Sequence, residues 1–479
     1  MFSLNAHTMP AKRSQYSLLA LTIAVVSLTG CLNSSSGSSS PTSVEQSTPA
    51  EPPPSMPVLD EERVRPVVFV HGLAGSGSQY QTQALRFASN GYPEDMVHAF
   101  EYSTASTLAV IGAATGSQAS RLDALIDDLL ATHDKDQVYL ACHSLGVTVC
   151  SNYLGDPERA AKVAGFVGID GATNENCPGD VPCMGVFVNE ASELGDNNLY
   201  LPGEAHVQVA TSEASFAGQF EFFTGVVPER TEILPVEGDV SVSGRAVLFP
   251  ANTGAEGTTL NVWSIDPDTG ARLENEPLAT ADIDASGRWG PFDLQAGEHY
   301  EFQLLRPGRA EHHFYRQPFL RNSSLVRFNT SAAGSDIEAN THTGPDHAAL
   351  VISRDMEWWG DRGEETDRLE IATTSALWPD EEAFDVMSSI SANSVIGIHV
   401  HDAESYPAIT TGELLPYFPS QPFQSGVDVN MPATSPADGV ITITSYPRGD
   451  SSRPQVFNVP NRPSLDHRVS LTFNDFVQD

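Results

Sequence analysis

Lysine is nearly absent from this 479-residue chain, and positive charge is scarce throughout. The lysines are Lys12, Lys135 and Lys162; Lys and Arg together number 25 against 62 Asp and Glu, which leaves a net charge of −37. Proteins that bind nucleic acid neutralise phosphates with clustered basic side chains. An acidic excess of this size therefore argues against nucleic acid as a partner.

Cysteine is also rare, with five in the chain, and no Cys/His cluster has the spacing of a zinc site. Cys177 and Cys183 lie in a loop rich in Pro and Gly, and an exported compartment would allow a disulfide between them. Cys142 and Cys150 are expected to be buried and free.

Histidine pairs come nearest to a metal motif. His347 follows Asp346, and His399 and His401 would share one face of a strand because side chains alternate between faces. Two ligands do not make a site. We therefore predict no metal and no cofactor.

Long apolar runs are missing, and the one near the N-terminus is too short to span a membrane comfortably. Residues 18–28 follow the basic pair Lys12 and Arg13, and Thr29, Gly30 and Cys31 come directly after them. Residues 1–31 together resemble a bacterial lipoprotein signal peptide, in which cleavage before Cys31 leaves a thiol for lipid attachment. An ordinary signal peptide with a chance cysteine is the alternative. Leu32 after the cysteine points to the outer membrane, so an anchored or secreted protein is expected.

Composition divides the rest of the chain. Residues 32–62 are rich in Ser, Pro and Thr, which predicts a flexible tether. Residues 63–231 alternate short apolar strands with helical stretches, as in an α/β domain. Residues 232–479 show only short strands and turn signals, which predicts an all-β sandwich or barrel, with a possible break near 322–335.

The stretch 137–148 is the most informative in the chain. It reads as a buried strand, a sharp turn and a helix, and the turn has the form x-His-Ser-x-Gly. This is the nucleophile-elbow pattern with its first glycine replaced by Cys142. The pattern predicts Ser144 as the nucleophile and the N–H of Leu145, where the helix starts, as an oxyanion donor.

A glycine loop at 71–77 follows the first apolar strand of this domain. Glycines let backbone N–H groups approach a ligand closely. In an acyl-transfer enzyme the N–H of Leu73 would be the second oxyanion donor. A plain strand-to-helix turn is the alternative interpretation.

Two residues downstream of Ser144 would complete a catalytic set. Asp170 ends the next predicted strand, and His206 is the only histidine between 144 and 231. The order Ser, Asp, His is that of α/β-hydrolases. His206 would act as base and Asp170 would orient its imidazole, with Asp196 as the rival for the acid.

Several of these stretches together resemble the two-domain lipases of the Archaeoglobus type, an α/β-hydrolase followed by a β-rich lipid-binding domain. The resemblance implies Ser144, Asp170 and His206 as triad and Leu73 and Leu145 as oxyanion donors. It covers nearly the whole mature chain, more loosely in the second half. The matching stretches are 71–76, 86–93, 143–146, 159–164, 169–171, 206–208, 300–303 and 315–319.

One departure from that family concerns the lid. The family places a helical lid between the equivalents of Tyr92 and Ser117, but this chain has a short segment there with one apolar cluster at 108–111. We therefore expect no full lid and a more open site. In the β-rich half, a set of aromatic residues either binds lipid or belongs to the core: Trp358, Trp359, Tyr406, Tyr417 and Phe418.

The sequence as a whole predicts a lipid-anchored serine ester hydrolase, a lipase or esterase acting on acylglycerols or fatty esters through an acyl-Ser144 intermediate. Its expected partners are the ester substrate and, through Cys31, a membrane. An extracellular polyester depolymerase is the alternative enzyme. A surface adhesion lipoprotein is the alternative without catalysis.

Overall fold

The first domain is built on six parallel strands. In the computed structural model, which describes residues 56–360, 366–374, 383–392, 394–403, 409–449 and 451–478, they run in the order β2-β1-β3-β4-β5-β6. The direction of winding reverses between β1 and β3, so the carboxyl ends of these two strands form the crevice where open α/β sheets bind ligands. The strands are β1 (Val67–Val70), β2 (Val97–Phe100), β3 (Val138–His143), β4 (Val163–Ile169), β5 (Cys183–Phe187) and β6 (Asn198–Tyr200).

Helices cover both faces of this sheet. In β1, Val68 and Val70 pack into one core, whereas Val67 and Phe69 pack into the other, as expected of a strand buried on both sides. The helices are α1 (Gln81–Ser89), α2 (Thr107–Ala114), α3 (Ala119–His133), α4 (Leu145–Leu154), α5 (Pro157–Ala160), α6 (Gln208–Thr211) and α7 (Glu213–Thr224).

The described residues after α7 are β-rich and include one short α-helix, α8 (Asp336–Asn340). The predicted fold class, an α/β-hydrolase domain followed by a β domain, is confirmed. The strands are β7 (Asp239–Leu248), β8 (Thr253–Gly254), β9 (Thr258–Ser264), β10 (Ala279–Ile283), β11 (Arg288–Gln295), β12 (Tyr300–Leu305), β13 (Glu311–Arg316), β14 (Ser323–Thr330), β15 (Ala349–Trp358), β16 (Arg368–Thr374), β17 (Phe384–Asp385), β18 (Val395–His401), β19 (Gln424–Asp428), β20 (Val440–Tyr446), β21 (Gln455–Pro460) and β22 (His467–Thr472).

The largest β sheet crosses the predicted break near 322–335. Its order is β10-β9-β12-β13-β22-β15-β18-β19, so strands from before and after the break are neighbours. The junction is the parallel pair β13 and β22. The described part of this half also contains two smaller sheets, β11-β7-β14 with β8, and β17-β16-β20-β21.

Two of the aromatic residues considered for lipid binding belong to the core. Trp358 and Phe418 are completely buried. Trp359 and Tyr417 are half-buried, and Tyr406 lies outside the described residues. The reason is the pairing of β15 and β18 within the large sheet, which puts Trp358 into its packed face.

Contacts join the described residues, from 56 to 478, into one unit. The predicted signal segment, Cys31 and the tether as far as residue 55 lie outside the described residues, and the predicted domain boundaries stay predictions. Within the part of the chain that the structure describes, no helix combines the length and the apolarity that crossing a bilayer requires.

Candidate active site

Ser144 stands at the sharp turn between β3 and α4. Its backbone has φ 53° and ψ −119°, a conformation that a residue with a side chain adopts at a cost of order 1–3 kcal/mol. The neighbouring loop must leave room for it: a Cβ on Gly72 would lie 2.8 Å from the Cβ of Ser144. The turn thus has the geometry of a nucleophile elbow.

The three residues predicted as a triad are brought together in space. The Ser144 hydroxyl donates to Nε2 of His206 at 3.0 Å, and Nδ1–H of His206 donates to Oδ2 of Asp170 at 2.6 Å. Asp196, the rival acid, is exposed in the turn before β6. The carboxylate that reaches His206 is therefore that of Asp170.

The environment of Asp170 favours its charged form. Burial raises the pKa of this carboxyl, but the hydrogen bond and charge interaction with His206 and the N–H of Val188, 3.2 Å away, outweigh burial and lower it. An ionised carboxylate against Nδ1–H keeps the imidazole in the tautomer whose Nε2 faces Ser144. The geometry is that of a serine nucleophile with its base and orienting acid.

Two other histidines flank the triad but are buried and neutral. Burial lowers the pKa of His143 to about 3 and that of His71 to about 4. His143 accepts from the Gln79 amide at 2.9 Å and donates through Nε2–H to the carbonyl of His206 at 2.8 Å. His143 therefore holds the backbone of the residue that would act as base.

The glycine loop is held from both halves of the protein. The carboxylate of Glu101 accepts the N–H of Gly77 at 2.7 Å and the Nε–H of Arg327, from β14, also at 2.7 Å. The amide of Asn252, from the loop between β7 and β8, donates to the carbonyl of Gly75 at 2.9 Å. The loop that follows β1 is thereby fixed beside Ser144.

The structure places both residues that are predicted as oxyanion donors beside Ser144. Leu73 lies in the glycine loop and lines the same cavity as Ser144. Leu145 is the first residue of α4, so its N–H has no acceptor one turn earlier in the helix. Backbone N–H groups at such positions can stabilise the charge that develops on a carbonyl oxygen during acyl transfer.

A cavity of about 230 Å³ opens beside the triad, and both halves of the protein contribute to its wall. Ser144, His206 and Leu73 come from the α/β domain, whereas Phe314 and Phe423 come from the β-rich half. The Phe423 ring lies nearly parallel to the His206 ring, with centroids 6.2 Å apart. A substrate bound at Ser144 would therefore contact the β-rich half directly.

Sequence reasoning missed Glu357, which reaches the base from the β-rich half. Its carboxylate accepts the N–H groups of Val207 at 2.6 Å and Gln208 at 2.8 Å, directly after His206. Glu357 is 1 % exposed, and burial raises its pKa. The sequence shows Glu357 only as a glutamate within a predicted strand. Its partner Val207 is 150 residues away along the chain, so no local pattern connects the two.

The expectation that Cys142 and Cys150 are free was wrong, because the structure joins them in a buried disulfide. Helix α4 folds back over β3 immediately after the elbow, which brings Cys150 beside Cys142 near the end of the strand. Cys177 and Cys183 form a second disulfide. Cys31, the predicted lipidation site, lies outside the described residues.

Family comparisons agree with this architecture. A family model described as Lipase (class 2) matches residues 64–155, and one described as Lipase C-terminal domain matches residues 238–333. A third model, of another C-terminal domain, matches residues 336–477. The matches support a two-domain lipase-like architecture and a hydrolase of the lipase or esterase type.

More distant comparisons add little. No curated protein matches the chain. Among solved structures, the lin2722 gene product of Listeria innocua is 11 % identical with a TM-score of 0.27, over 35 % of this chain and 96 % of its own. Lipase BlEst2 of Bacillus licheniformis, in propeptide form, is 11 % identical with a TM-score of 0.27, over 84 % and 94 %. Phospholipase PlaB of Legionella pneumophila is 8 % identical with a TM-score of 0.19, over 85 % and 93 %. Likenesses this weak carry no argument about function.

Proposed function

We propose that the protein is a serine carboxylic ester hydrolase that cleaves acylglycerols or related fatty esters. The observation that carries the proposal is the chain of hydrogen bonds from Ser144 through His206 to Asp170, at 3.0 Å and 2.6 Å, beside a cavity. The lipase family matches on both sides of the site support the same class of reaction.

The proposed reaction has two halves. Nε2 of His206 takes the proton of the Ser144 hydroxyl as its oxygen attacks the ester carbonyl, and the N–H groups of Leu73 and Leu145 hold the oxyanion. The imidazolium then protonates the departing alcohol and leaves an acyl group on Ser144. A water molecule, deprotonated by His206, releases the fatty acid and restores the serine.

Hydrolysis of nitrophenyl esters from acetyl to palmitoyl tests this assignment. Ser144→Ala should abolish turnover, whereas Ser151→Ala, on the same helix, should retain it. Asp170→Asn should lower kcat by about four orders of magnitude because the imidazole loses its orienting carboxylate. Near-full activity in Asp170→Asn, together with a large loss of kcat in Asp196→Asn, would assign the orienting acid to Asp196. Full activity in Ser144→Ala would refute the proposal.

The chain-length profile distinguishes the finer possibilities. A maximum at long acyl chains would support a lipase, and activity confined to short esters would support an esterase. Because the segment between β2 and α3 contains only the eight-residue helix α2, we expect no sharp rise in rate when the substrate exceeds its solubility limit.

The lipid anchor is part of the same proposal. Support comes from the sequence around Cys31, where a basic flank, a short apolar run and small residues precede the cysteine. Mass spectrometry of the mature N-terminus should find an acylated Cys31 on a protein of the outer membrane. A mature chain that lacks Cys31, or carries it unmodified, would contradict the anchor.

A further inference from the structure

Strand β13 has two faces with different surroundings. His312, Phe314 and Arg316 line the cavity beside the candidate triad. Glu311 and His313 alternate with them and therefore point to the opposite side of the sheet. Glu311 and His313 therefore do not belong to the cavity beside the candidate triad.

On that opposite side, His467 at the start of β22 joins Glu311 and His313. Nε2 of His313 lies 3.0 Å from Nδ1 of His467 and 3.7 Å from the Glu311 carboxylate, and the remaining separation, between His467 and Glu311, is 4.0 Å. Three potential ligand atoms thus lie within 4.8 Å of one another. Since Nδ1–H of His313 is directed at Glu301, the 3.0 Å contact is a hydrogen bond from Nδ1–H of His467 to Nε2 of His313, and a bound cation would replace it once His467 carries its proton on Nε2.

These separations suit a small divalent cation. Two ligands of a tetrahedral zinc ion, each about 2.0–2.2 Å from the metal, stand about 3.3–3.6 Å apart. The three observed distances lie on either side of that value, so modest side-chain movement would complete the geometry. Two imidazoles with one carboxylate are a donor set typical of zinc, and three protein ligands would leave the fourth position to water.

The surroundings orient His313 as they do in established metal sites. Nδ1–H of His313 donates to the buried carboxylate of Glu301 at 2.5 Å, which leaves the lone pair of Nε2 directed at the cluster. A carboxylate behind a histidine ligand fixes its tautomer and raises its basicity. Glu301 is in turn held by two hydrogen bonds from Arg272, at 2.7 and 2.9 Å.

The positive charges nearby are directed at Glu301. Arg272 pairs with its carboxylate, and Arg462 lies 4.0 Å from the same group. Glu311 is 40 % exposed and His467 is 23 % exposed, so an ion can enter from solvent. His313 is completely buried, which anchors the inner end of the cluster.

We propose that Glu311, His313 and His467 bind a divalent transition-metal ion of the zinc class. The ion would join β13 to β22, the parallel pair at the junction of the large sheet. These strands belong to regions matched by two different C-terminal family models. The site is therefore a structural clip between the two parts of the β-rich half, behind the wall of the cavity.

The test uses the whole mature protein, stripped of metal with EDTA and then titrated with zinc. Wild type should take up one zinc ion per chain by elemental analysis, and its Tm should rise with zinc concentration because ligand binding favours the folded state. Glu311→Gln, nearly isosteric and partly exposed, and His467→Gln should each weaken zinc binding at least tenfold and remove the rise in Tm.

His299→Gln, a half-buried histidine in the turn before β12, is the matched control and should bind as wild type does. Circular dichroism establishes whether each variant is folded. If His467→Gln does not fold, zinc binding by Glu311→Gln alone tests the proposal. Absence of zinc uptake in wild type would refute the proposal. Equal uptake by wild type and Glu311→Gln would also refute it, since the ion would then bind elsewhere.

Discussion

The carboxylate of Glu357 connects the β-rich half to the backbone of the residue proposed as base. It stands on β15 and accepts two successive N–H groups at the start of α6, from Val207 and Gln208. An ionised acceptor suits a helix N-terminus, where unpaired N–H groups carry partial positive charge. On the other side of the loop, His143 donates to the carbonyl of His206. Two residues that touch no reacting atom therefore hold His206 in place.

Replacing Glu357 by Gln tests this positioning role. The amide keeps one acceptor but turns an NH2 group toward a peptide N–H, so the loop should shift and leave His206 misaligned with Ser144. We expect kcat for a short ester to fall about ten- to a hundredfold, which is about 1.4 kcal/mol of barrier per factor of ten, with little change in KM.

Glu370→Gln, at a partly exposed glutamate on β16, should match wild type in that assay. A merely structural role for Glu357 would lower Tm and the fraction of active enzyme but leave kcat per active site intact. Active-site titration with a fluorophosphonate separates the two results. An unchanged kcat in Glu357→Gln would refute the positioning role.

The strand, turn and helix around Ser144 form one element that is constrained from several sides. The turn holds Ser144 at positive φ, and the disulfide ties the end of β3 to the middle of α4. Helix α4 also starts against β1: a Cβ on Gly146 would collide with the backbone carbonyl oxygens of Val70 and His71. Close approach of helix and strand, and not turn conformation, is what requires glycine at this position.

Gly146→Ala therefore sets two effects against each other. Alanine favours a helix by up to about 1 kcal/mol over glycine. The collision is with backbone, which cannot move aside without displacing β1, and overpacking of this kind costs about 1–3 kcal/mol or more. We expect the steric effect to win, with a lower midpoint in urea unfolding and a loss of esterase activity.

Gly155, at the C-terminal end of the same helix, provides the control. A Cβ there would lie 3.4 and 3.7 Å from its nearest neighbours, which is ordinary contact, and its backbone is right-handed. Gly155→Ala should be as stable as wild type or more so. Equal urea midpoints for the two variants would contradict the close approach of α4 to β1.

At the scale of the whole molecule, the α/β domain and the β-rich half close around a shared cavity. Asp355 on β15 stands in the cavity wall and accepts a hydrogen bond from the hydroxyl of Ser78 at 3.1 Å. Burial and the neighbouring Asp475 raise its pKa to about 6, whereas Arg316 and the Ser78 hydroxyl act in the opposite direction. The junction thus contains an acid that resists ionisation.

The sign of its effect on stability follows from that pKa. Between its ordinary pKa of 3.8 and about 6, Asp355 is protonated when folded and ionised when unfolded. Its stabilising contribution is therefore full below that window and is lost as pH rises through about 6. Asp355→Asn should remove this dependence and gain stability relative to wild type between pH 4 and pH 8.

Urea unfolding of wild type and Asp355→Asn at pH 4 and pH 8 measures this change in the free energy of unfolding. The difference between the two free energies at each pH cancels the titration of the other acids. Asp282→Asn, at an exposed acid on β10, is the control for the loss of one carboxyl group. An equal difference between wild type and Asp355→Asn at pH 4 and pH 8 would contradict the raised pKa of Asp355.

Local patterns in the sequence determined much of this protein. Strand and helix periodicity, turn residues and the order Ser144, Asp170, His206 were enough to predict an α/β-hydrolase domain, a β-rich half and the members of the candidate triad. Such features depend on neighbouring residues, on the alternation of side chains along a strand and on the fixed order of elements in a parallel sheet.

Only the tertiary structure decided the rest. Cys142 meets Cys150 because α4 folds back over β3, Glu357 meets the loop after His206 because β15 borders the cavity, and His467 meets His313 because β22 pairs with β13. Each of these contacts depends on how separate elements pack. Packing between distant elements leaves no spacing in the sequence from which the partners could be recognised.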